Sequence, residues 1–485
     1  MLFGDLAAGD LTLPANLAGM TISGLSSDSR AVKPGFLFAA LPGSLVDGAG
    51  YAADAVSRGA VAILADIDAA IDVPADIAVV RTDDPRRALA RFAARFYPKQ
   101  PENLVAVTGT SGKTSVVEFA RQIFQAAGHK AASVGTLGVV GEAGTRKGSL
   151  TTPETVSLHD EIDRLARDGT THLAIEASSH GLDQRRLDGL RIKAAAFTNL
   201  GRDHLDYHHD EADYFAAKLR LFSDLLPANG SAVIDVDSPH GEQVREIAAR
   251  RGQTVTSVGR AAEHIILRDV TADGFGQAVH ISIQQKDYRL IIPLAGAFQV
   301  SNALVAAGLA LAVGIDGDTV AAALEQLKGA PGRLEFVGRR ANGAMIFVDY
   351  AHKPDALIHM LAALRPMTRG RLVVLFGAGG DRDHGKRQLM GQAATANADV
   401  VIVTDDNPRS EDPAAIRSQV RAGCPDGCEI GDRADAIATA LDMLRAGDAL
   451  LVAGKGHETG QEIAGVLHPF SDHDVIAAHL GSESQ

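Results

Sequence analysis

The stretch GTSGKTS, residues 109–115, carries phosphate chemistry in its residue types and spacing. Glycines at 109 and 112 let backbone N–H groups approach an anion, and a helix beginning at Lys113 adds its positive end. Lys113 would neutralise β/γ-phosphate charge and Thr114 would ligate Mg²⁺. Two residues, not four, separate the glycines, so the stretch departs from the strict P-loop pattern. A second constellation lies at the ends of three apolar runs: RLVVLFGAGGDRD, DVVIVTDDNPR and DALLVAGKGHE. Continuous apolar runs read as central parallel strands covered on both faces. Ligands bind outside the carboxyl ends of such strands. Arg382, Asp406, Asn407, Pro408 and Arg409, and the segment from Gly454 to Glu458, are therefore expected to converge. Arg409 either reads an anionic ligand there or pairs at the surface with Glu411 or Asp412.

A third group is less specific. Glu176 in AIEASSHGL, His204 in TNLGRDHLDYH and an oxygen ligand would hold a second Mg²⁺ near a triphosphate. Histidine is an unusual ligand for so hard an ion, and His204 reads equally as a loop histidine. Lys218, on an amphipathic helical pattern, reads by itself as a solvated lysine.

These residues need a scaffold of some size. The chain has 485 residues, which suggests about three domains. Hydrophobic residues make up 46% and charged residues 22%, the composition of a globular protein. The net charge of −13 argues against nucleic acid or an anionic membrane as a broad-surface partner. Cys424 and Cys428 are too few to close a structural zinc site. Scarce cysteine suits a reducing cytosol. The N-terminus lacks a signal-peptide pattern, and no run of 18 apolar residues predicts a membrane span.

The patterning predicts an α/β protein. Short strands and helices alternate over residues 1–99, and the polar stretch YPKQPEN (97–103) reads as a linker. A strand runs into the phosphate loop, followed by a helix that Gly128 stops. Period-two runs between 264 and 293 predict a β-rich flap on the middle domain, and helices are expected near 301–313 and 317–328. GAPGRLE (329–335) reads as a second linker. The expected domains are 1–99, 100–330 and 331–485.

In order, VTGTSGKTS, TTPET, EASSHGL, TNLGRDHLDYH, AAKLRLF, VSNALVA, GRLE, VDYAHKPDAL, GGDRD, TDDNPR and AGKGHE together resemble the Mur ligase family of peptidoglycan synthesis, over essentially the whole chain. Within it the chain is most similar to members that add the third amino acid to UDP-N-acetylmuramoyl-L-alanyl-D-glutamate. The resemblance implies a small N-terminal α/β domain for the UDP end, a central mostly parallel P-loop-type ATPase domain, and a C-terminal Rossmann-like domain for the amino acid. It implies a cytoplasmic bacterial enzyme, a monomer, acting on small molecules with ATP and Mg²⁺.

The resemblance also implies residue roles. Gly109, Thr110, Ser111, Gly112, Lys113, Thr114 and Ser115 would hold ATP phosphates, with Asn302, Arg333, Asp349 and His352 around the nucleotide. Thr114, Glu176 and His204 would serve magnesium. Lys218 aligns with a lysine carbamylated in the family, and its carbamate would be a further metal ligand; burial lowers a lysine pKa so that the neutral amine takes up CO₂. Lys113, His204 and Lys218 would be the catalytic set. Ser27, Ser29 and Arg30 of SSDSR would contact the UDP-linked substrate, and Thr151, Thr152, Ser178, Gln184 and Arg186 its muramoyl-dipeptide.

DNPR resembles the form that uses meso-diaminopimelate. Arg409 would clamp the distal carboxylate with paired charge-assisted bonds. Glu458 with Asp406 and Asn407 would take the distal ammonium, and Arg382 and Gly454 would frame the end. Two departures from the family pattern are the apolar Ser44–Val46 stretch and Gln299 in place of asparagine. The nearest rival reading is a folylpolyglutamate synthase, which needs neither SSDSR nor DNPR. A more distant one is a nucleotide-binding regulator without ligase activity.

Overall fold

The computed structural model describes residues 1–43, 47–148, 150–201, 203–204 and 206–483. The Ser44–Val46 departure and the chain's last two residues lie outside them. The chain divides into two compact units, one of Met1–Glu263 with Gly308–Asp316, the other of His264–Ala307 with Gly317–Gln485.

The first unit contains two sheets. Gly24–Ser26, Phe36–Ala40, Ala60–Asp66 and Ala78–Thr82 form a parallel sheet in chain order. Its helix Pro85–Phe96 starts where sequence rules place it, with Asp84 accepting from Arg87 N at 2.9 Å and proline in the first turn. Leu89 and Phe92 on that helix bury against Leu37 and Leu64 of the strands. Each such side chain contributes about 1.5–3 kcal/mol.

The second sheet runs in the order Thr254–Gly259, Ser231–Asp235, Ile192–Phe197, Asn103–Thr108, His172–Glu176, Ala131–Gly135, all parallel. Two short antiparallel strands, Gly138–Gly141 and Gly144–Arg146, extend it. Every residue of Asn103–Thr108 is buried, so the loop that follows leaves a fully protected strand. The expected linker before it is irregular but tethered. Lys99 N donates to Asp163 Oδ1 at 2.8 Å, and Gln100 Oε1 accepts from Arg191 N at 2.8 Å.

The expected flap is three antiparallel strands, Ile265–Asp273, Gly276–Ile283 and Lys286–Ile292. They belong to the second unit. The helices after them span Ala297–Ala312 and Gly317–Leu324. The main sheet of this unit has the order Glu335–Arg339, Met345–Asp349, Ala449–Ala453, Leu372–Phe376, Val400–Val403, Cys428–Glu429. Its first pair is antiparallel and the rest parallel.

Period-two side chains feed two cores. Leu372, Val374 and Phe376 meet Leu357, Leu361, Met390 and Val420, while Val373 and Leu375 meet Ile437, Leu441 and Ile476 on the other face. Strand Ala449–Ala453 lies between two strands that precede it in the chain. That is the switch in strand order outside which ligands bind. Cys424 is buried and Cys428 exposed, and both are free thiols.

Candidate active site

In the first unit, helix Lys113–Ala126 begins at Gly112, whose φ of +86° favours glycine. Gly109 has a φ of +147°, and a Cβ there would lie 1.9 Å from Thr198 Oγ1. Only glycine fits. Residues 198–201 bolt the loop down. Thr198 Oγ1 donates to Ser111 O at 2.7 Å, Ser111 N donates to Asn199 Oδ1 at 2.9 Å, and Thr110 N donates to Asn199 O at 2.9 Å. Lys113 Nζ folds over the loop and donates to the carbonyls of Gly109 (2.8 Å) and Thr110 (2.9 Å). Thr114 and Ser115 are buried in the first helical turn.

Lys218 is no solvated lysine. Its helix, Glu211–Arg220, is capped by Asp210 and runs into a π turn at Leu221–Leu225. The side chain is 1% exposed, and Nζ donates to Gly109 O at 2.8 Å. It lies 4.2 Å above the Tyr214 ring. Burial pushes its ammonium well below the ordinary lysine range, the Lys113 charge adds to the effect, and Asp203 opposes it. Solvation wins for most helical lysines; here the residue faces a covered strand end. Burial also pushes the Tyr214 hydroxyl up to about 12, and that hydroxyl bonds Thr110 Oγ1 at 3.0 Å.

Glu176 ends strand His172–Glu176 and is buried. Its carboxylate accepts from Thr136 N at 2.8 Å, and Gly135 leaves room for it, since a Cβ there would lie 2.2 Å from Oε1. Thr114 and Glu176 line one small pocket with Glu118 and Ser133. His204 adopts a φ of +54°, with its ring 6.1 Å from Tyr214 and 4.9 Å from His180. Among the described residues no three His, Cys, Asp or Glu side chains gather as a metal cluster. The structure brings Thr114 together with the carboxylates Glu118 and Glu176 and sets the buried Lys218 amine beside the loop, while His204 is not among the residues that line that pocket. Hard oxygen donors suit Mg²⁺.

The residues expected along the muramoyl-dipeptide path form one polar group beside Glu176. Thr152 Oγ1 donates to Glu176 O at 2.8 Å and lies 2.9 Å from Ser178 Oγ. Thr151 Oγ1 is 3.1 Å from Thr136 Oγ1. Arg186, buried and lowered in pKa by burial, donates to Thr152 O at 2.6 Å and to Gln184 Oε1 at 2.7 Å. Just after strand Gly24–Ser26, Ser29 is buried and Ser27 exposed. Arg30 is turned outward, 82% exposed, and forks onto Asp28.

In the second unit, Asn302, Arg333, Asp349 and His352 form a connected set. Gln299, the departure from the family pattern, joins it. Its amide donates to Arg333 O at 2.9 Å and accepts from Asn302 Nδ2 at 2.9 Å. Arg333 lies over the Tyr350 ring at 5.0 Å. Asp349 accepts from Leu334 N (2.6 Å) and Ala351 N (2.7 Å), and burial raises its carboxyl to about 6 against the pull of Arg333. Burial lowers the His352 pKa, and its Nδ1 lies 2.8 Å from Tyr350 O.

The three strand-end loops of this unit do converge. Gly380 N donates to Asn407 O at 2.9 Å, Arg409 Nη1 donates to Gly380 O at 2.7 Å, and Asn407 Nδ2 donates to Glu458 Oε2 at 2.9 Å. Gly454 has a φ of +114°, and a Cβ there would lie 2.5 Å from Asp406 Oδ2, so glycine is what lets Asp406 approach. Arg382 is exposed on the loop that follows strand Leu372–Phe376.

Arg409 has a φ of +53° and a side chain only 24% exposed. Its carboxylate neighbour is Glu462 (3.3 Å), not Glu411 or Asp412. Glu411 instead forks onto fully buried Arg387 with two 2.8 Å bonds, which hold its carboxyl down to about 2.

Sequence reasoning missed Tyr214, Glu462 and Arg387, and gave Lys455 no role of its own within the segment from Gly454 to Glu458. Tyr214 lies four residues before Lys218, a spacing that stacks both on one helix face and would have found it. Lys455 stands inside AGKGHE, where a lysine between two glycines reads as a loop cation like any other. Glu462 sits on a hairpin, Gly460–Ile463 with Val466–Pro469, and gave no signal.

Family models match residues 21–97 (Mur ligase family, catalytic domain), 107–310 (Mur ligase middle domain) and 332–456 (Mur ligase, glutamate ligase domain). The chain is 54% identical over 483 residues to a UDP-N-acetylmuramoyl-L-alanyl-D-glutamate–2,6-diaminopimelate ligase of Bradyrhizobium diazoefficiens, covering 99% of both chains. It is also 54% identical to the ligase of that name from Brucella melitensis, covering 99% of this chain and 97% of the relative. A solved structure of a ligase with the same name superposes with a TM-score of 0.73 at 32% identity, covering 100% of this chain and 99% of that one. With full-length identity of this order and all three family models in sequence, the chain belongs to the Mur ligase family.

Proposed function

We propose that this chain joins meso-2,6-diaminopimelate to the D-glutamate γ-carboxylate of UDP-N-acetylmuramoyl-L-alanyl-D-glutamate, with ATP converted to ADP and phosphate. The observation that carries this reading is Arg409. Its guanidinium donates to Gly380 O and lies 3.3 Å from Glu462, on the strand-end loops that also carry Asn407 and Glu458, and a distal amino-acid end needs one cation and one anion. The full-length likeness to ligases of that name supports it.

Residues 1–99 bind the UDP end, 100–330 the nucleotide phosphates, and 331–485 the amino acid. The loop 109–115 cradles the phosphates on backbone N–H groups, and Lys113 turns from its carbonyls to the γ-phosphate. The γ-carboxylate oxygen attacks the γ-phosphorus, giving an acyl phosphate and ADP. The amine of the incoming amino acid adds to the acyl carbon, loses a proton, and phosphate leaves. Asn302, Arg333, Asp349 and His352 surround the nucleotide, with Gln299 bracing two of them. Thr151, Thr152, Ser178, Gln184 and Arg186 orient the acyl end, and Ser27 and Ser29 the uridine end.

Thr114, Glu176 and His204 would hold Mg²⁺, with Lys218 as its carbamate; bound metal supplies charge neutralisation of the phosphates. Arg409 clamps the distal carboxylate, Glu458 takes the distal ammonium, and Asp406, Pro408, Arg382 and Gly454 shape the end. Lysine would offer Arg409 no carboxylate and leave it to Glu462 and Gly380 O. We place the enzyme in the bacterial cytoplasm, as a monomer acting on small molecules. No described helix is long and apolar enough to cross a membrane.

Phosphate release from ATP, measured with the UDP-linked dipeptide and Mg²⁺, tests the reading. Turnover with diaminopimelate and little with L-lysine is expected. Turnover with lysine instead discards the role of Arg409, and turnover with neither discards the ligase.

A further inference from the structure

One cation in the amino-acid pocket has no role in the reaction so described. Lys455 is 0% exposed, at the first turn after strand Ala449–Ala453. A buried ammonium persists only where it is paired. Here its Nζ donates to Asn407 Oδ1 at 2.9 Å and to Glu458 Oε2 at 3.1 Å, and lies 3.9 Å from Asp406 Oδ1. Asn407 closes the triangle by donating Nδ2 to the same Glu458 oxygen at 2.9 Å.

The triangle determines two orientations. Asn407 Oδ1 accepts from both Lys455 and Glu462 N (3.0 Å), so its amide faces one way and its Nδ2 must point at Glu458. Glu458 is then held through Oε2. Asp406 is fixed separately through its backbone, whose carbonyl accepts from Gln461 Nε2 at 2.7 Å.

We propose that Lys455 is the positioning residue of this pocket. Its buried charge offsets the Asp406 and Glu458 carboxylates and presents Glu458 and Asn407 to the distal end of the diamino acid. Without it the two carboxylates repel, and of the triangle Glu458 keeps only the bond from Asn407 Nδ2. The inference rests on reading this end as the diaminopimelate pocket.

The test is initial-rate phosphate release with diaminopimelate varied, then with ATP varied, for wild type, K455R and K455Q, each checked by thermal melting. K455Q is expected to raise KM for diaminopimelate by about 10–100-fold, the worth of hydrogen bonds to a charged group. KM for ATP stays within about twofold, because uniform binding of that substrate is untouched. K455R keeps the charge and falls between the two. A diaminopimelate KM within about twofold of wild type in K455Q, or an equal rise in both KM values, overturns the inference. If K455Q does not fold, K455R decides: a selective rise supports positioning, and wild-type values overturn it. Wild type without diaminopimelate-dependent turnover is a different failure. It rejects the pocket assignment itself, and this inference with it.

Discussion

The loop proposed to hold phosphate and the loops proposed to hold the amino acid are built of opposite materials. The loop of the first unit is built from backbone. Gly109 and Gly112 occupy conformations that side chains disfavour, and hydroxyls and amides of Thr198 and Asn199 pin it. The pocket of the second unit is built from charged side chains: Arg409, Glu462, Asn407, Glu458, Lys455 and, behind them, Arg387 with Glu411. A backbone cradle accepts any nucleoside triphosphate through its phosphates. A side-chain network can tell one amino acid from another, because each unpaired charge is costly. Generality at one end and selectivity at the other follow from what each is made of.

The contrast is sharpest at the two cations. Lys218→Ala removes the buried amine beneath the loop and should lower kcat by about 10²–10³, the usual loss for a charge-stabilising group. A short carboxylic acid in solution should restore part of the rate if a carbamate is the working form. Full activity of the unsupplemented variant would remove that carbamate from the scheme. Arg409→Lys should lower kcat/KM for diaminopimelate by about 10–100-fold and hardly change turnover with lysine. Equal losses on both substrates would mean that the pocket, like the loop, is indifferent to its ligand's far end.

A smaller effect probes the nucleotide side of the second unit. Gln299→Ala breaks the bridge between Asn302 and Arg333 and should raise KM for ATP about fivefold, a loss near 1 kcal/mol. No change would mean that the departure from the family pattern is idle.

The smallest concerns stability. The Glu411 carboxyl, held by Arg387, falls from 4.5 to about 2 in the folded chain. A depressed acid stabilises the fold above its unfolded value and loses that contribution as pH falls through the folded one. Glu411→Gln should therefore flatten the loss of stability between pH 4.5 and about 2, read by denaturant melts. An unchanged slope would show that the pair does not hold the loops.

Much of the fold and part of the site were legible in the residues alone. Strand, glycine loop and helix at 103–126 follow from apolar run, glycine and capping pattern, which are local. So do the three buried strands that carry Arg382, Arg409 and Glu458. The burial of Lys218 was not legible. Its helix pattern allows a solvated face, and only strand Asn103–Thr108 ending above it removes the water. The Arg409 partner was not legible either. Glu411 and Asp412 were the near-neighbour candidates in the alternative reading, yet Glu411 is taken by Arg387 from another segment, and Glu462 arrives on a hairpin much later in the chain.

By itself the sequence determined the α/β class, the strands and helices, the phosphate loop and the set of loops that carry chemistry. These rest on short-range constraints: periodicity, left-handed glycines and capping side chains. Tertiary structure alone decided which charges meet and which are stripped of water. The Lys455–Asn407–Glu458 triangle and the Lys218 amine under Gly109 depend on desolvation and on distances between segments far apart in the chain. A charge changes character when water leaves it, and only the packed fold determines where water is excluded.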